Sequence, residues 1–385
     1  MEENYKVIQD ERNNIYVNQF QERERPLSHM FSENSTVDSI PADFVCDLQF
    51  FLDAISSNNL NSLQNAITKL SEDFMNLQPD KRTETILFEN EIFQQIFILL
   101  TNPPSLEIYK LTTWLIVSIF RMSNKFKKFE IMNVFESYGL LNFLLQRFNP
   151  KYENYLNGEK DSIVPIDLDH FEIDLLPYYL HLFAFYCYRS NFKVRDIIID
   201  IIIFPNRDFF FDDFDNNELI LEASFLLCAS TYFELNESQS DYINWLITLI
   251  IQNFSEFSLE SEKFLIDSVS NLLEMEGFAT YLFKFNFQEF LSHYINEITN
   301  NTTDDVMSIC LLLQKELLTE DPSRVTIDYQ KLIKIGCSKL FNESKLVAFK
   351  LFLKGLKLKK DSPFINDDFF QYFLKFELMN LLLSF

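Results

Sequence analysis

Apolar residues keep helical spacing along most of this chain. Phe44, Leu48, Phe51, Leu52 and Ile55 recur at intervals of three and four. Leu60, Leu63, Ile67, Leu70, Phe74 and Leu77 then hold one apolar face over about five turns. The two stripes predict adjacent helices, with Asn58 and Asn59 ending the first and capping the second. The same periodicity predicts helices over Thr83–Leu100, Leu106–Met122, Phe129–Phe148, Leu175–Tyr188, Val194–Phe204 and Glu218–Phe233, and it continues to the end of the sequence. Residues 1–40 lack it and are expected to form a flexible polar tail, leaving 41–385 as one helical domain. Between Asn149 and Ile173 the pattern stops, and Pro150, Gly158 and Pro165 predict a long loop insertion at 149–173.

A weaker period lies above the helix. Leu219–Ser230 (LILEASFLLCAS) resembles Lys263–Glu274 (KFLIDSVSNLLE) with Leu221 set on Ile266, 45 residues on. Val306–Leu317 resembles Lys345–Leu356 with Val306 on Lys345, 39 residues on. Such steps predict stacked helical units, because one helix pair cannot cover its own apolar face and relies on the next for burial. Lys110–Phe120 (KLTTWLIVSIF) has the same character, with Trp114 standing 111 residues before Phe225.

Composition narrows the class further. Five glycines in 385 residues argue against hairpin sheets and phosphate-cradling loops, which need glycine for their backbone angles. Hydrophobic residues make up 47% of the chain and Phe alone numbers 43, so there is ample surface for a core. No stretch reaches the roughly eighteen apolar residues of a membrane span, and the N-terminus lacks the apolar run of a secretory signal. Five separated cysteines (Cys46, Cys187, Cys228, Cys310, Cys337) suit reduced thiols, so the expected location is cytoplasm or nucleus. A formal charge of -24 repels a phosphate backbone and attracts basic peptides. Nucleic acid and membranes are therefore not expected partners.

Catalytic chemistry leaves no signature. His29, His170, His181 and His293 are scattered, and GxSxG, HExxH, Walker and GxGxxG patterns are absent, so neither an enzyme nor a cofactor is expected. The acidic run Asp212–Glu218 places Asp213, Asp215 and Asn217 at alternate positions, but a calcium loop would need Gly where Glu218 stands and Glu where Ser224 stands. It is expected to cap the helix from Glu218. Asp167–Asp174 gathers carboxylates around His170 without further His or Cys at metal spacing, so no metal is expected there either.

The stretches EIYKLTTWLIVSIF (Glu107–Phe120) and FESYGLLNFLLQRF (Phe135–Phe148) resemble the armadillo repeat family, and within it the importin-alpha-like nuclear import adaptors. Trp114 stands where that family carries a groove Trp, Gly139 at its turn, and Leu140–Leu145 in its Leu-rich second helix. The resemblance implies an all-α, right-handed α-solenoid of armadillo/HEAT-like repeats. It also implies a protein-binding adaptor whose groove accepts an extended segment, in its sharpest form a Lys/Arg-rich nuclear-localisation signal. Trp114, Ser118 and Phe225 are the candidate groove residues: the Trp ring can stack on a cation, worth about 0.5 to 2 kcal/mol. Ser118 stands four residues after Trp114, where the adaptors carry a clamping Asn, and Ala229 stands four after Phe225. Residues 1–40 hold four basic against eight acidic residues, unlike the basic N-terminal segment of those adaptors. The alternative function is a non-catalytic, HEAT-like scaffold or regulatory subunit of a larger complex.

One basic helix stands out. Lys345–Lys360 holds six lysines and no acid, with Leu346, Phe349, Leu353 and Leu356 expected on the apolar side and Lys350, Lys354 and Lys357 beside them. A solvated outer face and a site for an acidic partner are both open for it. The closing stretch FFQYFLKFELMNLLLSF, ending at Phe385, is expected to pack on the last repeat or to join a partner.

Overall fold

The computed structural model describes residues 42–57, 59–76, 92–125, 130–159, 165–166, 173–189, 192–212, 216–232, 235, 239–273, 275–297, 304–336 and 343–358. The expected tail 1–40, residues 83–91 of the expected third helix and the apolar closing stretch lie outside them. Among the described residues the fold is all-α, with no strand. By contact the chain divides into a unit ending at Phe143 and a second beginning at Leu144.

In the first unit, α1 (Ala42–Ser56) packs on α2 (Leu60–Asn76), and α2 packs along α4 (Leu106–Lys125). The Asn59 side chain accepts from Ser62 N at 3.2 Å, the expected cap for α2. Phe44 and Phe74 meet edge to face at 5.5 Å. α3 (Ile92–Thr101) and α5 (Glu130–Ser137) close the other side through Phe93, Phe120 and Phe135. The periodic span Phe129–Phe148 is two helices, divided at Gly139, φ +84°, where the resemblance placed a turn before a Leu-rich helix, and α6 (Leu140–Phe148) follows. A left-handed residue ends a helix cheaply only when it lacks a Cβ.

In the second unit the expected loop at 149–173 carries a short helix, α7 (Tyr152–Leu156). α8 (Leu176–Arg189) follows, then α9 (Phe192–Ile198). The sequence pattern ends that helix at Phe204, before Pro205. The chain instead runs through a π-turn at Ile199–Ile203 into α10 (Phe204–Asp212). A proline has no N–H to give and crowds the preceding turn, and a widened turn accommodates it without ending the helix. Next come α11 (Asn217–Ser230), α12 (Ser240–Asn253), α13 (Leu259–Leu272), α14 (Phe278–Leu282) and α15 (Phe287–Glu297). The unit continues through α16 (Asp304–Glu320), α17 (Tyr329–Gly336) and α18 (Glu343–Leu358). The side chain of Asn216 caps α11 and that of Ser258 caps α13. The acidic residues Asp213 and Asp215 lie outside the described residues.

Five of these helices pack in sequence order: α8 on α11, α11 on α13, α13 on α16, and α16 on α18. Their contacts join residues about forty positions apart. His181 reaches Glu222, Tyr188 reaches Cys228, Asn271 donates to the Cys228 carbonyl, Lys263 pairs with Asp305, and Ser344 donates to Asp304; the separations are 41, 40, 43, 42 and 40 residues. Contacts near both ends of α8 and α11 share one offset, so these two helices run parallel. Loop residues and helix ends show similar separations. Ile166 N donates to Asn206, Gln239 to Asp196, Thr280 to Glu320, and Arg324 to the Phe283 carbonyl, at separations of 40, 43, 40 and 41 residues. The expected register of Leu221 on Ile266 differs from this packing. Phe225 faces Phe264, 39 residues on, at a centroid distance of 5.1 Å.

Candidate functional site

Trp114 lies on α4, whose N-terminus is held by Ser105, the Ile108 N–H donating to its hydroxyl at 3.2 Å. The indole is half-buried, and the Arg121 guanidinium sits 5.3 Å from its ring centroid. Arg121 follows two turns later on the same helix, so the ring already meets a cation from its own chain. Ser118 is fully buried and donates its hydroxyl to the Trp114 carbonyl at 3.0 Å. Thr112 and Thr113 bond back to the preceding turn in the same way. A short hydroxyl inside a packed helix satisfies itself on the carbonyl four residues back, and that geometry leaves it no reach toward a ligand backbone. Ser118 is thus a core residue in this structure.

Phe225 is also removed from any groove. Its ring is 1% exposed and is enclosed by His181, Phe185, Tyr188 and Phe264, with centroids 5.1 to 6.4 Å away. It is a rung of the aromatic core between α8 and α13. Beside it the His181 Nδ1 lies 2.7 Å from the Glu222 carboxylate, with both side chains buried. Further along, burial pushes the Glu262 carboxyl up to about 7, while the Tyr294 hydroxyl donates to it at 3.1 Å. Sequence reading passed over Glu222, Glu262 and Asp267. The available signal was an acid set within an apolar run, as in LILEASFLL, and the partner of Glu222, His181, lies 41 residues away.

The basic helix α18 turns its faces differently from the sequence expectation. Ser344, Val347, Ala348, Leu351, Phe352 and Gly355 are buried, whereas Leu346 and Leu353 point outward with Lys350 and Lys357. Gly355 is a close approach within this buried face: a Cβ there would come within 2.7 Å of Ile327 Cδ1 and 2.8 Å of the Tyr329 hydroxyl at the entry of α17, and those side chains would have to shift. Lys354 is half-buried, and burial holds its ammonium below the usual lysine range against the opposing pull of Glu316. Leu353 is 46% exposed and Leu346 37%, with Leu358 beyond them at 38%.

An open cavity of about 210 Å³, lined mainly by Ile243, Met275, Phe278 and Tyr281, lies between α12 and α14. The Tyr281 hydroxyl donates to the Asn244 side chain, and burial raises its pKa. Cys46 is exposed, while Cys187, Cys228 and Cys310 are buried free thiols; burial pushes up the pKa of Cys187 and Cys310. His170 and its neighbouring acids lie outside the described residues. Among the described residues no group of three His, Cys, Asp or Glu side chains is placed to hold a metal ion. None of the described helices is long and apolar enough to cross a membrane.

The chain matches no protein-family model and no curated protein. Its own residues carry the functional reading.

Proposed function

We propose that this chain is an armadillo/HEAT-like α-solenoid that works as a non-catalytic protein-binding scaffold. The observation that carries the proposal is the recurrence of inter-helix hydrogen bonds at separations of 40 to 43 residues from α8 through α18. That step falls in the range of about 40 to 47 residues per unit of such repeats. Repeats that touch only their neighbours build extended surfaces, and extended surfaces are what these architectures offer to other proteins. Small-angle X-ray scattering tests the solenoid directly. A stacked array gives a radius of gyration well above the roughly 21 Å of a compact chain of this length. A value near the compact figure would remove the reading.

The adaptor form, a groove for a Lys/Arg-rich segment as in nuclear import, retains one favourable observation. The Trp114 ring accepts a guanidinium, here from Arg121. Trp114 and Trp245 are the only tryptophans, so a Trp245→Phe variant leaves Trp114 as the sole reporter. A basic peptide that displaces Arg121 produces a saturable fluorescence change weakened by salt and absent with an acidic control. With Ser118 and Phe225 in the core, the groove reading rests on Trp114 alone, and the scaffold reading stands ahead of it.

A further inference from the structure

The cavity between α12 and α14 has an apolar wall and a polar mouth. Ile243 of α12 and Phe278 of α14 are buried in the wall, with Met275 and Tyr281 half-buried beside them. Ser240, Glu276 and Gly277 line the same space and are exposed. The wall is held in place by contacts within the chain. Tyr281 stacks on Phe278 at a centroid distance of 6.0 Å, donates its hydroxyl to Asn244 of α12, and carries the Lys284 ammonium over its ring at 5.2 Å. Thr280, also on α14, donates to Glu320 of α16 at 2.7 Å. A wall fixed in this way needs little ordering when a ligand enters, and that favours binding.

Size and charge identify the occupant. An apolar cavity of about 150 Å³ admits a benzene ring, whereas pockets for drug-sized molecules start at about 300 Å³. At about 210 Å³ this cavity matches one large apolar side chain. The charges around it are mainly negative. Glu276 lines the mouth, and Asp241 follows Ser240 in the first turn of α12. Burial and then the charge of Asp241 raise the Tyr281 pKa, which places that carboxylate beside the cavity. Neither carboxylate forms an ion pair with a described residue. The positive end of α12 would attract an anion, but Asp241 already supplies one. With a formal charge of -24 on the whole chain, an acidic segment is repelled and a basic one is drawn in.

We infer that this cavity seats one Phe- or Leu-sized side chain of a basic segment of another protein, whose neighbouring Lys or Arg residues meet Glu276 and Asp241. This rests on the protein-binding reading above and names a site and a partner class for it. The test uses the full chain and a fluorescein-labelled peptide of lysines around a single phenylalanine, followed by fluorescence anisotropy. Saturable binding is expected, weakened about tenfold or more when the peptide phenylalanine is replaced by alanine. That arm needs no variant of the protein. Ser240→Trp, which plugs the mouth from an exposed position, should weaken binding by a similar factor. Asp241→Lys/Glu276→Lys should do the same, and a glutamate-flanked version of the peptide should then bind instead. Circular dichroism on each variant confirms that the helices remain. Equal binding of the phenylalanine and alanine peptides would show that net charge alone holds them, and it overturns the inference. So does no binding by the native chain, or binding indifferent to Ser240→Trp. N-acetylphenylalaninamide binding as tightly as the peptide would make the cavity a small-molecule site and overturns it too. The scattering measurement involves no peptide, so a failure here and a failure of the solenoid are told apart.

Discussion

His181 and Glu222, 41 residues apart in sequence, share a 2.7 Å hydrogen bond in a site where both side chains are buried and two phenylalanine rings, Phe185 and Phe225, close over the imidazole. The bond joins α8 to α11 in a low-dielectric setting, where losing one member of a buried pair is costly. Glu222→Ala is expected to cost about 3 kcal/mol in urea unfolding. Glu222→Gln, whose amide oxygen still accepts from the imidazole N–H, should cost clearly less. Equal losses for the two variants would show that packing and not the hydrogen bond is at stake.

Gly355 lies where α18 packs against Ile327 and Tyr329. In Gly355→Ala the added methyl meets Ile327 and Tyr329, and overpacking of about 1 to 3 kcal/mol competes with a helix-propensity gain of about 1 kcal/mol. A net loss of stability is expected. Tyr329→Phe removes the oxygen 2.8 Å from the new methyl, so the double variant should recover part of that loss.

Asp47 and Asp73 bring two carboxyl groups together between α1 and α2, with Lys69 paired to Asp47. Burial, then the hydrogen bond and charge of Asp47, push the Asp73 carboxyl from its ordinary 3.8 up to about 7. A pKa raised by folding means that the folded chain binds the proton more tightly than the unfolded one. Its contribution is fully present below pH 3.8 and is lost as pH rises toward about 7. Asp73→Asn keeps a donor toward Asp47 and should raise the urea midpoint at pH 8 while leaving it nearly unchanged at pH 4. A midpoint lowered at pH 8 would contradict this.

Cysteine accessibility gives a check on the packing. An aromatic disulfide reagent should modify Cys46 rapidly in the folded chain, and Cys46→Ser should remove that phase. Cys187, Cys228 and Cys310 are buried, and their modification should wait for unfolding. Fast labelling of Cys228 would contradict its place beneath Tyr188 and Asn271.

Helix periodicity alone located α1, α2, α4, α8 and α11 to within a few residues, because their apolar stripes are long and regular. Glycine scarcity argued against sheets by the same local reasoning, and the described residues hold no strand. The spacing of about forty residues between packed elements was visible only faintly, since the residues that express it, such as Cys228 with Asn271 and Phe283 with Arg324, share no sequence similarity and meet only in the folded chain. Phe225 and Ser118 illustrate the limit. A sequence places both on the helices of interest, but which side of a helix faces a neighbour depends on crossing geometry, and here that geometry buries both.

What the sequence determined by itself is therefore local: the all-α class seen among the described residues, the cap at Asn59, a capping acidic run before α11, and one lysine-rich helix in an acidic chain. The tertiary structure decided which faces were spent on packing. On α18 the leucines expected inside, Leu346 and Leu353, point out among lysines, and Arg121 came to lie over the Trp114 ring. Helical spacing is written in one turn of chain, whereas burial is a property of two elements that meet, and no single stripe of residues encodes its partner.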